Sequence, residues 1–210
     1  MQLYFTPNTC SLAVVIAAAE AGIDLDLIAV DIMQDPHRLN DGSEYAAVNP
    51  KNYVPMLVLD SGETLTEVAV ILQYLADLAP HAGIVAPNGS LDRVRQQAVL
   101  SFVATELHKF FSPWLFHPAV GEAAQAYARD SIAGRFALLD KQLGKSLFAA
   151  GDRFTIVDAY LFVMVVWSGF TSVPLAAFPN LGSWFARMQA RPAVIEALRL
   201  HSAKPVSVAA

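Results

Sequence analysis

Up to Pro80 this chain alternates short apolar runs with helical stretches, while from Pro87-Asn88-Gly89 onward nothing in it reads as a strand. That break constrains the fold more than any single motif. Gln2 to Phe5 is a short apolar run ending before Pro7. Leu12 to Ala19 is uninterrupted, Ala-rich and closed by Gly22, so it reads as a buried helix. Leu25 to Val30 follows as a second strand, and Asp31 to Ser43 as a loop leading to a short helix near Glu44 to Val48. Val54 to Leu59, the turn Asp60-Ser61-Gly62-Glu63 and Thr64 to Thr66 form a hairpin. Glu67 to Leu78 places Val70, Ile71, Tyr74, Leu75 and Leu78 at helical spacing and stops at Pro80. The expected order is βαβαββα over residues 1–80, then an all-helical domain over 88–210, an α/β plus all-α architecture.

In the second part Ser90 can cap a helix from Leu91 to about Phe111, ended by Pro113, and a further helix covers roughly Gly121 to Leu143. Thr155-Ile156-Val157-Asp158 has the form of a capping box opening the apolar Ala159 to Gly169 helix. Shorter helices follow around Leu181 to Ala190 and Ala193 to Leu200.

The chain is 55 % hydrophobic and 16 % charged, which raises the question of a membrane. The longest stretch without a charge, Ala159 to Ala186, has a continuous apolar part of Ala159 to Phe170. That part is shorter than the roughly 20 residues of a bilayer crossing, and Pro174 and Pro179 interrupt the remainder of the stretch. A buried core helix is expected instead. No basic region precedes the first apolar run, which does not read as a signal peptide, so a cytoplasmic protein is expected.

One cysteine excludes an internal disulfide, and His37, His81, His108, His117 and His201 show no metal-site spacing. No metal or bound cofactor is expected. Gly-rich phosphate loops, dinucleotide fingerprints and nucleophile elbows are lacking. Residues 1–80 hold two bases and eleven acids, a net −9, while residues 81–210 hold twelve bases and eight acids, a net +4. The acidic first part would repel a phosphate backbone, so no nucleic-acid partner is expected.

Cys10 falls at the start of the first helix, where unsatisfied amides and the helix dipole favour a thiolate; the other reading, and the commoner one for a cysteine, is a small buried hydrophobe. Leu65-Thr66-Glu67-Val68 sets a strand end directly before a helix, so the amides of Glu67 and Val68 would face an anion and Glu67 an adjacent ammonium. Glu67 could also simply complement the helix N-terminus. A cis Val54-Pro55 bond would turn backbone groups outward for a peptide-like ligand; the alternative is an edge-strand proline. His108 and Lys109 end a helix and either complement its dipole or lend positive charge. Trp114, Phe116 and Trp167 could line an apolar pocket or be plain core.

Together these pieces resemble a cytosolic glutathione transferase, most closely the bacterial beta class. The resemblance covers nearly the whole chain. It is carried by Leu3-Tyr4-Phe5 with Cys10-Ser11-Leu12, Ala47-Val48-Asn49-Pro50 with Tyr53-Val54-Pro55, Leu65-Thr66-Glu67, Gln73-Tyr74-Leu75-Ala76-Asp77, Thr105 to Lys109, and Gly151 to Asp158. It implies a thioredoxin-like first domain that binds glutathione as co-substrate, a helical domain that shapes a pocket for a small hydrophobic electrophile, and a homodimer. By that resemblance Val54 pairs its backbone with the cysteinyl part of glutathione, Tyr53 belongs to the same binding site, and Glu67 and Val68 hold the γ-glutamyl end. Cys10 faces the glutathione sulfur, with His108 and Lys109 as catalytic partners, and Glu106 helps hold the γ-glutamyl amine across the dimer. Gly151, Thr155 and Asp158 match a folding motif of the family.

The chain departs from the family pattern in three places. Val68 stands where the family usually has Ser or Gly, which removes a hydroxyl worth about 1 kcal/mol. The loop Gln34 to Arg38 is longer and lacks a lysine for the glycyl carboxylate, leaving His37 or Arg38 as substitutes. Phe5 replaces a frequent tyrosine. The resemblance implies conjugation of glutathione to electrophiles. The alternatives are a glutathione-dependent disulfide reductase using Cys10, or a non-catalytic ligand-binding or scaffold protein.

Overall fold

The computed structural model of the protein describes residues 1–202. The chain divides into two compact units. The first holds β1 (Gln2–Phe5), α1 (Leu12–Ala21), β2 (Asp26–Asp31), β3 (Arg38–Leu39), β4 (Met56–Val58), β5 (Thr64–Thr66) and α2 (Val68–Leu78). The five strands form one sheet in the order β3-β2-β1-β4-β5. β1 and β2 run parallel, joined by α1 as crossover, and every other pair is antiparallel. α1 is buried on nearly its whole surface, as its apolar run from Leu12 to Ala19 requires, and it ends at Gly22. Gly22 adopts φ 68°, and its N–H closes on the carbonyls of Ala18 and Ala19.

The first unit differs from its expected order in two elements. The short helix near Glu44 to Val48 is one 3₁₀ turn over Tyr45–Ala47. Asn49 precedes Pro50 and so disfavours helical backbone, which leaves no room for an α-helix. The second difference is β3, whose two residues pair Leu39 with Val30 and Arg38 with Asp31. So short a strand has no periodicity to betray it.

The second unit is helical: α3 (Leu91–Phe102), α4 (Lys109–Phe111), α5 (Glu122–Leu143), α6 (Ile156–Ser168) and α7 (Pro179–Gln189). Ser90 caps α3 by accepting the Arg93 N–H. Between α3 and α4 the expected single helix changes to a π-helical segment, Val103–His108. α6 is buried on almost every side, and its capping box is formed by Thr155 and Asp158. Among the described residues no helix is long and apolar enough to cross a membrane.

The last helix, α8 (Pro192–Ser202), packs on α1 and groups with the first unit. The boundaries expected from the sequence put it with the helical domain, because helical periodicity says nothing about which body a helix joins. The last eight positions of the expected 88–210 domain lie outside the described residues.

Candidate functional site

In the first unit the loop after β1 carries Cys10 one residue ahead of Ser11, the N-cap of α1. Cys10 is only 7 % exposed. Its Sγ donates to the Val54 carbonyl at 3.5 Å, so the thiol and the residue expected to meet glutathione are neighbours. The Val54–Pro55 bond is cis, as expected.

The segment before Val54 is held by a network that the sequence pattern does not reveal. Tyr45 is fully buried and donates its hydroxyl to the Tyr53 carbonyl at 2.9 Å. The Asn49 amide donates to that carbonyl at 2.8 Å and to the Tyr45 hydroxyl at 3.2 Å. Burial pushes the Tyr45 pKa up to about 12, so the hydroxyl stays a donor at any physiological pH. The Tyr53 ring, by contrast, is 71 % exposed. The residue's backbone carbonyl is held and its side chain faces solvent.

Glu67 is the N-cap of α2 at φ 71°, a strained conformation for a non-glycine residue. The Glu67 side chain does not cap α2, which leaves the first amides of the helix, beginning with that of the buried Val68, to an anion. The Glu67 carboxylate pairs with Lys51 Nζ at 3.1 Å, and Lys51 also donates to Thr66 Oγ1 at 2.8 Å. Lys51 is not among the residues singled out from the sequence, because the loop that contains it carries no periodicity linking it to β5. Lys51 shows that Glu67 accepts an ammonium where it stands.

The two candidates for the missing lysine are placed differently. His37 Nδ1 lies 3.1 Å from the Asn52 carbonyl, on the segment that leads into Tyr53 and Val54. Arg38 is tied into its own turn, donating to the Gly42 carbonyl at 3.1 Å and pairing with Glu44 at 3.4 Å.

In the second unit the segment Thr105 to Lys109 falls on the π-helical turn and its exit. Such turns recur at functional sites because they re-aim side chains within a helix. His108 Nδ1 lies 2.6 Å from the Tyr160 hydroxyl, and its ring meets Trp167 edge-on at 5.1 Å. Phe111 and Phe116 also meet Trp167, at 5.8 and 5.0 Å. His108, Phe116 and Trp167 are therefore one aromatic cluster, with Trp167 buried and Phe116 exposed. Trp114 has no ring contact among the described residues. Lys109 is exposed. Glu106 Oε2 accepts Arg135 Nη2 at 2.8 Å and Nε at 3.3 Å, and the Arg135 guanidinium stacks on Phe110. The Glu106 charge is thus already answered within its own unit. Among the described residues no group of three or more His, Cys, Asp or Glu could hold a metal.

Comparison with known proteins bears on this arrangement. The family model for the glutathione S-transferase N-terminal domain matches residues 9–78, and that for the C-terminal domain residues 102–192. Glutathione S-transferase GstA of Escherichia coli O157:H7 is 39 % identical over 204 residues, covering 97 % of this chain and 100 % of that one. This chain belongs to the glutathione S-transferase family. A sphingomonad glutathione S-transferase solved with glutathione is 41 % identical with a TM-score of 0.91, covering 97 % of this chain and 100 % of that one. The beta class enzyme of Sphingomonas chungbukensis is 39 % identical, again with a TM-score of 0.91, over 96 % and 99 % of the two chains. As in that family, a thioredoxin-like domain precedes a helical one.

Proposed function

We propose that this chain, as a glutathione transferase, binds glutathione on its first unit and conjugates its thiolate to small apolar electrophiles. The observation that carries the reading is the neighbourhood of the Cys10 sulfur and the Val54 carbonyl in the same unit as the uncapped start of α2. Val54 offers backbone to the cysteinyl part of glutathione. The α2 amides and Glu67 answer the carboxylate and ammonium of its γ-glutamyl end, with Lys51 giving way to that ammonium. His37, Arg38 and Tyr53 complete the peptide-binding side.

The chemistry is a displacement or an addition. The thiolate forms a C–S bond, and the leaving group departs with its electron pair or the adduct takes up a proton. Lowering a thiol pKa by about two units, worth roughly 2.7 kcal/mol, leaves most of it ionised near neutral pH. Preorganised donors can supply that much. We assign to the second unit the apolar substrate, taken against Phe116 and Trp167 with Trp114, and a role for His108 and Lys109 in conjugation through positive charge. Glu106 is assigned to the γ-glutamyl amine of a partner copy in a homodimer, which requires it to exchange its contact with Arg135. We place the enzyme in the cytoplasm, as a homodimer detoxifying electrophiles without a cofactor.

Cys10 beside Val54 also favours a second reading, reduction of glutathione mixed disulfides. There the Cys10 thiolate attacks the disulfide, one sulfur leaves as a thiolate, and a second glutathione regenerates Cys10. The test is turnover of an aryl halide and of a glutathione mixed disulfide by wild type and Cys10→Ala. Conjugation that survives Cys10→Ala supports the transferase reading. Its loss, with disulfide reduction the faster wild-type reaction, supports the reductase. A protein that turns over neither is a binding module.

A further inference from the structure

We propose that His201, on the C-terminal helix, is a positioning residue that clamps the Cys10 loop from both sides. The chain brings the two together across 190 residues of sequence. The Asn8 N–H donates to His201 Nδ1 at 3.2 Å, which leaves the ring proton on Nε2. Nε2–H then donates to Ser11 Oγ at 2.9 Å. Ser11 Oγ lies 2.8 Å from Thr9 Oγ1, and Thr9 donates in turn to the Thr6 carbonyl at 2.7 Å. The donors run from imidazole to Ser11, and from Ser11 to backbone at the Thr6 carbonyl, either directly at 3.3 Å or through Thr9, and Cys10 sits between Thr9 and Ser11. Thr6 anchors the other end of the loop through its hydroxyl, which donates to the Val30 carbonyl on β2 at 2.7 Å.

Several features suit this one role. The ring is 2 % exposed and lies against Phe5, 5.3 Å between centroids, so it is held in place by packing as well as by hydrogen bonds. Phe5 itself has no hydroxyl to make such a contact with the loop. Asn8 takes a left-handed conformation, φ 62°, that Asn tolerates better than most residues. Burial lowers the His201 pKa to about 4, which keeps Nδ1 available as an acceptor at neutral pH. Among the described residues the hydrogen-bond and ring partners of His201 are an amide, a hydroxyl and a phenyl ring, none of them charged. The ring touches the loop on each side of Cys10 and is not required to touch substrate. Its effect is to hold the thiol buried against Val54.

The experiment is the second-order rate of iodoacetamide alkylation, followed by intact mass. Cys10 is the chain's single cysteine, so the label reports this site alone, and the readout requires no glutathione activity. His201→Phe keeps the packing against Phe5 and removes both hydrogen bonds. Loss of two such bonds should raise the alkylation rate about tenfold by freeing the loop. His201→Gln, which retains a donor and an acceptor, should stay within about twofold of wild type. Ser11→Ala, which cuts the Nε2 arm together with the Ser11 contacts to Thr9 and Thr6 but leaves the Nδ1 arm, should give a rise of about threefold and serves as the second variant if His201→Phe fails to fold. Folding is checked by circular dichroism. Folded His201→Phe with a wild-type rate overturns the proposal, as does an unchanged rate in Ser11→Ala. So does His201→Gln behaving like His201→Phe, since packing alone would then explain the effect.

Discussion

Replacing Asp158 by Ala should cost the second unit about 4 kcal/mol. Asp158 is fully buried, and its two carboxylate oxygens accept four donors. Oδ1 takes the Ala149 N–H at 2.8 Å and the Trp184 indole N–H at 2.9 Å. Oδ2 takes the Thr155 N–H at 2.8 Å and the Thr155 hydroxyl at 3.1 Å. Burial pushes the carboxyl pKa up and these donors pull it down. Alanine removes all four acceptor contacts. The hydroxyl can turn elsewhere, but three N–H groups are left buried at about 1–3 kcal/mol each. Water entering the vacated space recovers part of that sum. A loss of about 4 kcal/mol is a large share of the roughly 5–15 kcal/mol that holds a typical protein folded. Asp158→Asn keeps one oxygen but turns an NH₂ toward other donors, and about half the loss is expected. Urea unfolding followed by tryptophan fluorescence measures this directly, since Trp184 is itself one of the donors. A loss below about 1 kcal/mol in Asp158→Ala would refute the reasoning, for the network would then be ornament on a helix held by packing.

Glu67→Ala should weaken glutathione binding substantially, and Val68→Ser should tighten it modestly through the added hydroxyl, both read by calorimetry; unchanged affinity in Glu67→Ala removes the α2 start from the site. His108→Ala should lower kcat for aryl conjugation by up to about 10², with less effect on disulfide reduction; equal loss in both reactions would mean that His108 supports the fold through Tyr160. Light scattering at micromolar concentration should show a dimer that weakens with salt, given the net −9 of residues 1–80 and +4 of residues 81–210. A monomer rejects the homodimer, and a salt-insensitive dimer rejects the charge argument.

The features legible in the sequence are those whose causes lie close along it. The capping box at Thr155 and Asp158, the hairpin around Gly62 and the buried α6 each have a local cause, and each stands where the residues put it. Cys10 is legible by its place before α1, and Glu67 by its place before α2. The parts that stay hidden depend on partners that no local pattern links. Arg135 closing on Glu106, Tyr45 and Asn49 holding the Tyr53 carbonyl, and Lys51 reaching Glu67 all join residues with no shared period. The π-helical turn over Val103–His108 is invisible for another reason. It shares the residue preferences of the helix it interrupts, so only backbone geometry reveals it.

His201 leads to a test of the fold that is separate from its effect on Cys10. In the folded protein its pKa is held down to about 4, against an ordinary value of 6.5. Between those two values the unfolded chain takes up a proton that the folded chain refuses. The sign follows from linkage: the contribution of neutral His201 to stability is fully present above about pH 6.5 and is lost as the pH falls toward 4. At about 1.4 kcal/mol for each pKa unit, the whole loss is about 3 kcal/mol. Asp31, Asp41 and Glu196 have carboxyls held low by their own hydrogen bonds, so they also titrate with acid. They are common to wild type and His201→Gln and cancel in the difference. Urea midpoints measured between about pH 7 and 4 should therefore fall more steeply for wild type, by about 3 kcal/mol at the acid end. Parallel curves for the two proteins would mean that the imidazole titrates in the folded state as it does in water, and a ring that can take up a proton freely is not donating from one nitrogen and accepting at the other.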